Sequence, residues 1–302
     1  MNLYDDKTKP RGSLGRLEAL GMRIVGVRGR VPERLRSAIV VAAADHGVVA
    51  EGVSAYPQEV TAQMLANFRA GGAAINVLAR HAGAELVVVD RGVGAPTRNM
   101  TQEPALTRGE VERELAAGAA LVDELGDVDV VALGEMGIGN STAAAAMTAA
   151  LLGVGPEVVC GRGTGVDDAG LARKVDAVRR ALVVNAGVEP LQAFGGFELA
   201  FLAGVAQRCA ERRIVVLLDG FITSAAVLAT DVRDVLVAAH RGSEPGHALV
   251  LEALGLEPLL DLELRLGEGS GAALALPLLD ASIAILNEMA TFADAGVTDA
   301  GR

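Results

Sequence analysis

The chain has 302 residues, 51% of them hydrophobic, and a formal net charge of −11. That length and apolar content allow one large core, and with 3% aromatics and no Trp the core is built from Ala, Val and Leu. The acidity argues against a nucleic-acid surface, where affinity rests on cations that neutralise phosphates, and suits an enzyme of small molecules.

The N-terminal MNLYDDKTKPRGS is charged and lacks the apolar core of a secretion signal. Pro10 and Gly12 mark a turn, and Ser13 is placed to cap a helix carrying Leu14, Leu17 and Leu20. Ala38 to Ala44 is a continuous apolar run of strand length and leads into Asp45-His46-Gly47. Pro57 to Arg80 has a helical pattern interrupted at Gly71-Gly72. Glu85 to Asp90 (ELVVVD) reads as the second buried strand and Val128 to Leu133 as the third. The third strand runs into a loop, GEMGIGNST from Gly134 to Thr142, followed by an alanine-rich helix.

Glu157 to Cys160 is a short strand or the start of a loop, before GRGTG at 161–165 and a helix that contains Lys174. Ile214 to Asp219 and Val235 to Ala239 are further strands, the last one ending at His240. This alternation of strand, loop and helix, with uninterrupted apolar strands, predicts an α/β fold whose mostly parallel sheet has helices on both faces. No apolar run is expected to reach the ~18 residues of a membrane span. Cys160 and Cys209 sit in apolar surroundings without a CxxC pattern, which fits a reducing, cytoplasmic setting.

Three stretches are candidates for chemistry. In LELRLGEGSGAALALPLL, Leu262 to Leu279, three leucines alternate with Glu263 and Arg265 as in a half-buried strand, and Glu268 follows in a glycine turn just before a helix. Ligands collect at the C-terminal ends of strands in open α/β sheets, so Glu268 is placed as an acid or base. The local pattern fits a solvated turn glutamate equally well. In the second stretch, Glu135 to Thr142, glycines precede Asn140, Ser141 and Thr142 at a helix start. This is an anion seat without the lysine of a Walker loop or a dinucleotide fingerprint. An ordinary capped turn remains the alternative.

In the third, Gly161–Gly165 precedes Lys174. Lys174 is the only lysine besides Lys7 and Lys9 in a chain that otherwise uses arginine. One ammonium beside one helix N-terminus suits a monophosphate. Asp167 and Asp168 could ligate Mg²⁺, though helix capping explains them better. His46 and His240 each follow a strand and are better read as structural. Asp219 ends a strand, where it can fix a ligand or a loop. Neither a metal nor a cofactor is expected.

The motifs KPRGSLGRLE, ADHGVVAEGVSAYPQEVTAQM, GGAAINVLA, GEMGIGNST, GRGTG, LLDGF and LRLGEGSGAALALPLL occur in this order over nearly the whole chain. Together they resemble the nicotinate-nucleotide–dimethylbenzimidazole phosphoribosyltransferase family of cobalamin lower-ligand activation. The resemblance implies a Rossmann-like α/β part over about residues 31–265, and a small helical subdomain from about 1–30 plus 270–302. It also implies a homodimer that acts on nicotinate mononucleotide and a benzimidazole-type base, with no nucleic-acid or membrane partner. By the same resemblance Glu268 is the general base, Glu135 a second functional glutamate, and Lys174 a ligand of the nucleotide phosphate. Gly137, Ile138, Gly139, Asn140, Ser141 and Thr142 match the phosphate-binding backbone; Gly267 and Asp219 are further substrate-binding candidates from their own positions at strand and loop ends.

The sequence departs from the family pattern in a short N-terminal helical segment and a shortened 91–100 loop. Tyr56 and Met64 stand where some members have a Ser and a Gln against the benzimidazole. Transfer to a purine or phenol, or a non-catalytic nucleotide-binding regulator, are the alternatives that these departures leave open.

Overall fold

Five parallel strands form one sheet: β1 (Ser37–Ala44), β2 (Glu85–Gly92), β3 (Val130–Met136), β4 (Val215–Leu218) and β5 (Leu236–Ala238), in the order β2-β1-β3-β4-β5. The computed structural model describes residues 2–299. Ile39, Val40, Val41 and Ala42 are all fully buried although successive side chains point to opposite faces, so both faces of the sheet are covered. The Phe197–Glu211 helix runs along the strands, and the Arg108–Glu124 helix packs on it. The Ser270–Glu288 helix packs on β3, on the Ala74–Ala82 helix and on the Arg16–Arg28 helix. The core is Ala, Val and Leu, as the composition requires.

Chain direction reverses its lateral course between β1 and β3, because β2 lies on one side of β1 and every later strand on the other. Loops leaving β1 and β3 therefore diverge, and a crevice opens at their carboxyl ends. The register pairs Ala42 with Glu135 and Ala43 with Met136, so β3 extends through Met136 rather than stopping at Leu133. Glu135 is thus a strand residue and not, as expected, a loop residue.

Three other expectations are corrected. Residues 262–266 form no strand. The sheet edge is instead closed two residues earlier, where Leu259 N–H donates to Ala238 O (3.0 Å) and Leu260 N–H to Ala239 O (2.9 Å). Pro156–Val159 is a single helical turn, started by Pro156 at its first position. The first helix begins at Arg16, not after Ser13. Its Glu18 accepts from Leu14 N–H (3.1 Å) and pairs with Lys9 (2.6 Å), both side chains being buried.

Contrary to the expected absence of such a run, the 19-residue Ser270–Glu288 helix is long and apolar enough to cross a membrane. However, 56% of its apolar window is buried inside the protein, as in a core helix. The two chain ends meet on it. Tyr4 Oη donates to Ser282 O (2.7 Å), Lys7 Nζ donates to Met289 O (2.7 Å), and Lys7 bridges Thr291 in antiparallel fashion. Residue 1 and residues 300–302, the outer limits of the expected small subdomain, lie outside the described residues.

Candidate active site

The crevice beyond β1 and β3 is a cleft. Glu135 to Ser141 line it from β3 and the following helix start, Asp219 and Phe221 from the end of β4, His240 and Glu244 from the end of β5, and Leu264 to Gly267 from the final loop. Val53 and Ser54 after β1, and Arg162, Gly163, Thr164 and Val166, complete the wall, so six segments far apart in sequence converge here, those after β1, β3, β4 and β5 because parallel strands all end on the same side.

The turn that carries Glu268 is the most constrained part of the wall. Gly267, Glu268 and Gly269 have φ of 80°, 63° and 83°, so three successive residues are left-handed. For a glutamate that conformation costs about 1–2 kcal/mol. Asp219 holds it in place: its carboxylate accepts from Ala272 N–H (2.9 Å) and Gly269 N–H (3.3 Å) at the start of the last long helix. A glycine is required beneath it, since a β-carbon on Gly134 would lie 2.7 Å from the Glu268 carbonyl oxygen.

Gly267 lines the cleft, whereas the Glu268 side chain does not. It is buried, with the Ile75 N–H at the start of the Ala74–Ala82 helix bonded to its carboxylate, and one oxygen has no partner. Burial, and after it the Asp219 charge, raise its pKa, while the Ile75 N–H opposes the rise.

Glu135 is on the cleft wall and buried. Its Oε2 accepts from Asn140 Nδ2, and its Oε1 sits where a β-carbon on Gly267 would be 2.5 Å away. Burial is the main cause that pushes its pKa up to about 8, with the charges of Asp219, Glu198 and Glu268 adding to the shift. At neutral pH Glu135 is therefore a neutral acid and a hydrogen-bond donor.

The folded protein then keeps a proton that the unfolded chain releases near pH 4.5, so stability falls as pH rises from there toward 8. At about 1.4 kcal/mol per pKa unit the loss is a few kcal/mol. Glu135→Gln is expected to melt at the same temperature as the wild type at pH 5 and several degrees higher at pH 9. Parallel melting curves across that range would refute the assignment.

The glycine loop after β3 is less open as an anion seat than its sequence suggests. Ile138 N–H donates to Thr61 Oγ1 (3.1 Å), Asn140 N–H to Gly137 O (3.1 Å) and Thr142 N–H to Gly139 O (2.9 Å). Among the described residues, the N–H groups of Gly139 and Ser141 have no bonded acceptor. Gly137, Ile138, Gly139, Asn140 and Ser141 line the cleft, while Thr142 is fully buried off it. Lys174 comes from behind: its Nζ, 1% exposed, donates to Ser141 Oγ (3.0 Å) and Gly161 O (3.0 Å).

Tyr56 is half exposed and Met64 packs at the margin of the core; neither lines the cleft. Asp167 caps its own helix by accepting from Gly170 N–H (2.7 Å), and Asp168 pairs with Arg162 at the surface. Among the described residues no group of three or more His, Cys, Asp or Glu could hold a metal.

Sequence reasoning missed Glu198, which binds His46 Nε2 (2.7 Å) beneath Gly137, because nothing in GGFELAF distinguishes it from a surface glutamate. It also missed Glu244, which reads as a cap before Pro245. The sequence reads His240 as structural, but it lines the cleft with its Nε2 3.7 Å from Asp219.

Residues 2–297 match the family model described as phosphoribosyltransferase. The chain belongs to this family. It is similar to nicotinate-nucleotide–dimethylbenzimidazole phosphoribosyltransferases from Desulforudis audaxviator (50% identity, covering 98% of this chain and 92% of the relative) and Mycobacterium avium (51%, covering 98% and 93%). The crystal structure of CobT from Thermus thermophilus superposes with a TM-score of 0.93 at 49% identity, covering 98% of this chain and 97% of that one. Membership in this phosphoribosyltransferase family fits a cleft with one anion seat and buried carboxylic acids.

Proposed function

We propose that the protein transfers the 5-phosphoribosyl group of nicotinate mononucleotide to 5,6-dimethylbenzimidazole or a related base, giving α-ribazole 5′-phosphate and nicotinate. The observation that carries this reading is one cleft lined by Gly267 of the Glu268 turn, by Glu135 and by Ser141, whose hydroxyl accepts from the Lys174 ammonium behind the wall. The named relatives, about half identical over nearly the whole chain, support the same substrates.

In this reading the Ser141 end of the glycine loop and Lys174 fix the 5′-phosphate, which fixes the sugar and makes attack effectively intramolecular. A ring nitrogen of the acceptor attacks C1′ on the face opposite the nicotinate. The C1′–N bond to nicotinate breaks and its electron pair returns to the pyridine nitrogen, so the anomeric centre inverts. The proton from the acceptor N–H passes to Glu268, which in this reading the base meets on the Ile75 side of the Gly267 turn. Protonated Glu135 offers an O–H to the sugar without adding a charge. Asp219, on the cleft wall, positions the Glu268 turn, and Tyr56 and Met64, outside this cleft, bear on the accepted base only if it enters from the Ile75 side. A homodimer in the cytoplasm is the expected setting, with the two chain ends forming its small helical unit.

The test is nicotinate release from nicotinate mononucleotide across a panel of benzimidazoles, purines and phenols. Release with benzimidazoles fastest is the expected result. Fastest release with a purine or phenol would reassign the acceptor, and ligand binding without release under any acceptor would make the protein a regulator.

A further inference from the structure

We propose that Glu244 is a resident anion in the phosphate seat: its carboxylate covers Lys174 in the free protein and must swing out for a phosphomonoester to enter. This rests on the reading of Lys174 and Ser141 as that seat.

Glu244 stands at the N-cap position of the Pro245–Leu254 helix, yet its side chain makes no capping bond there. It reaches across the cleft mouth instead. Oε1 accepts from Gly163 N–H (2.8 Å), and Oε2 lies 3.7 Å from Lys174 Nζ, buried and with no hydrogen-bond partner. One ammonium, one hydroxyl on Ser141 and one loop N–H make up the donor set that a phosphate monoester takes, and here a carboxylate takes the loop N–H and stands 3.7 Å from the ammonium.

The exposures show which partner can move. The Lys174 side chain is 1% exposed and does not line the cleft, whereas that of Glu244 is 14% exposed and does. Glu244 follows Gly242 and an exposed Ser243, so a rotation about its own side-chain bonds carries the carboxylate to water. A phosphate that shared the seat with this carboxylate would face like charge across the Lys174 ammonium, since Arg162 on the same wall is already paired with Asp168. Removal of the carboxylate is what opens Nζ to the cleft. Glu244 thereby lowers the affinity for phosphomonoesters, while keeping the buried ammonium paired whenever the seat is empty.

The test uses the full chain and ribose 5-phosphate, with calorimetric titration of wild type and Glu244→Gln. The Gln variant keeps an oxygen for the Gly163 N–H and removes only the charge. About tenfold tighter binding by Glu244→Gln is expected, with the KM for nicotinate mononucleotide falling by a similar factor. Equal or weaker binding by the variant, or no binding by either protein, overturns the proposal.

If the variant does not fold, a crystal structure of wild type with ribose 5-phosphate decides. Glu244 Oε1 detached from Gly163 N–H supports the proposal, and an unchanged bond refutes it. Tighter ribose 5-phosphate binding without nicotinate release would leave Glu244 as assigned and refute phosphoribosyl transfer. Nicotinate release with unchanged affinity would do the reverse.

Discussion

Glu268→Gln is expected to lower nicotinate release by about 10²–10⁴-fold, the usual contribution of a positioned general base, while nicotinate mononucleotide still binds within a few-fold of wild type. The amide has the shape of the carboxyl but cannot accept the acceptor's proton. The side chain is already under strain and desolvated: its backbone is left-handed, one of its oxygens has no partner, and burial raises its pKa. Structures retain such features where function requires them.

A second substitution separates catalysis from folding. Glu268→Gly relieves both the left-handed backbone and the buried carboxyl, so it is expected to melt no lower than wild type while lacking turnover. Unchanged turnover in Glu268→Gln, measured as nicotinate released with dimethylbenzimidazole, would remove Glu268 from the reaction.

Lys174→Met is expected to raise the KM for nicotinate mononucleotide by about 10²-fold. A hydrogen bond to a charged group contributes about 1.5–3 kcal/mol, and every 1.4 kcal/mol is a factor of ten. Because the phosphate is bound alike in ground and transition states, the effect falls on KM more than on kcat. The substitution also leaves the Glu244 carboxylate and Gly161 O without their cation, so a drop in melting temperature accompanies it. Steady-state kinetics at saturating acceptor reads the effect, and an unchanged KM would place the phosphate elsewhere in the cleft.

The inner strands were legible in the sequence because they are buried on both faces, so AIVVAAA and IVVLLD stand out as apolar runs between glycine loops; ELVVVD reads the same way although β2, at the sheet edge, is only partly buried. The segment 262–266 misled for a physical reason. Its leucines alternate as in a strand, but Leu262 and Leu266 are each about half exposed, and no neighbouring backbone pairs with them. Alternation records which side chains are apolar, not whether a partner strand is within reach.

Lys174 could be singled out because the chain otherwise uses arginine for its cations. Glu244 could not be found this way, because a glutamate before a proline is also how an ordinary helix begins. The buried cluster of Glu135, Asp219, Glu198 and Glu268 was equally hidden. Its members come from four segments, and only the parallel topology gathers them near enough to raise the Glu135 pKa.

The most direct test is a crystal structure with α-ribazole 5′-phosphate bound. The phosphate is expected within about 3.2 Å of Lys174 Nζ and Ser141 Oγ, with the anomeric carbon beside Gly267 and the Glu268 carboxyl facing the base. A phosphate seated away from Lys174, or a base separated from Glu268 by the protein wall, would contradict the account.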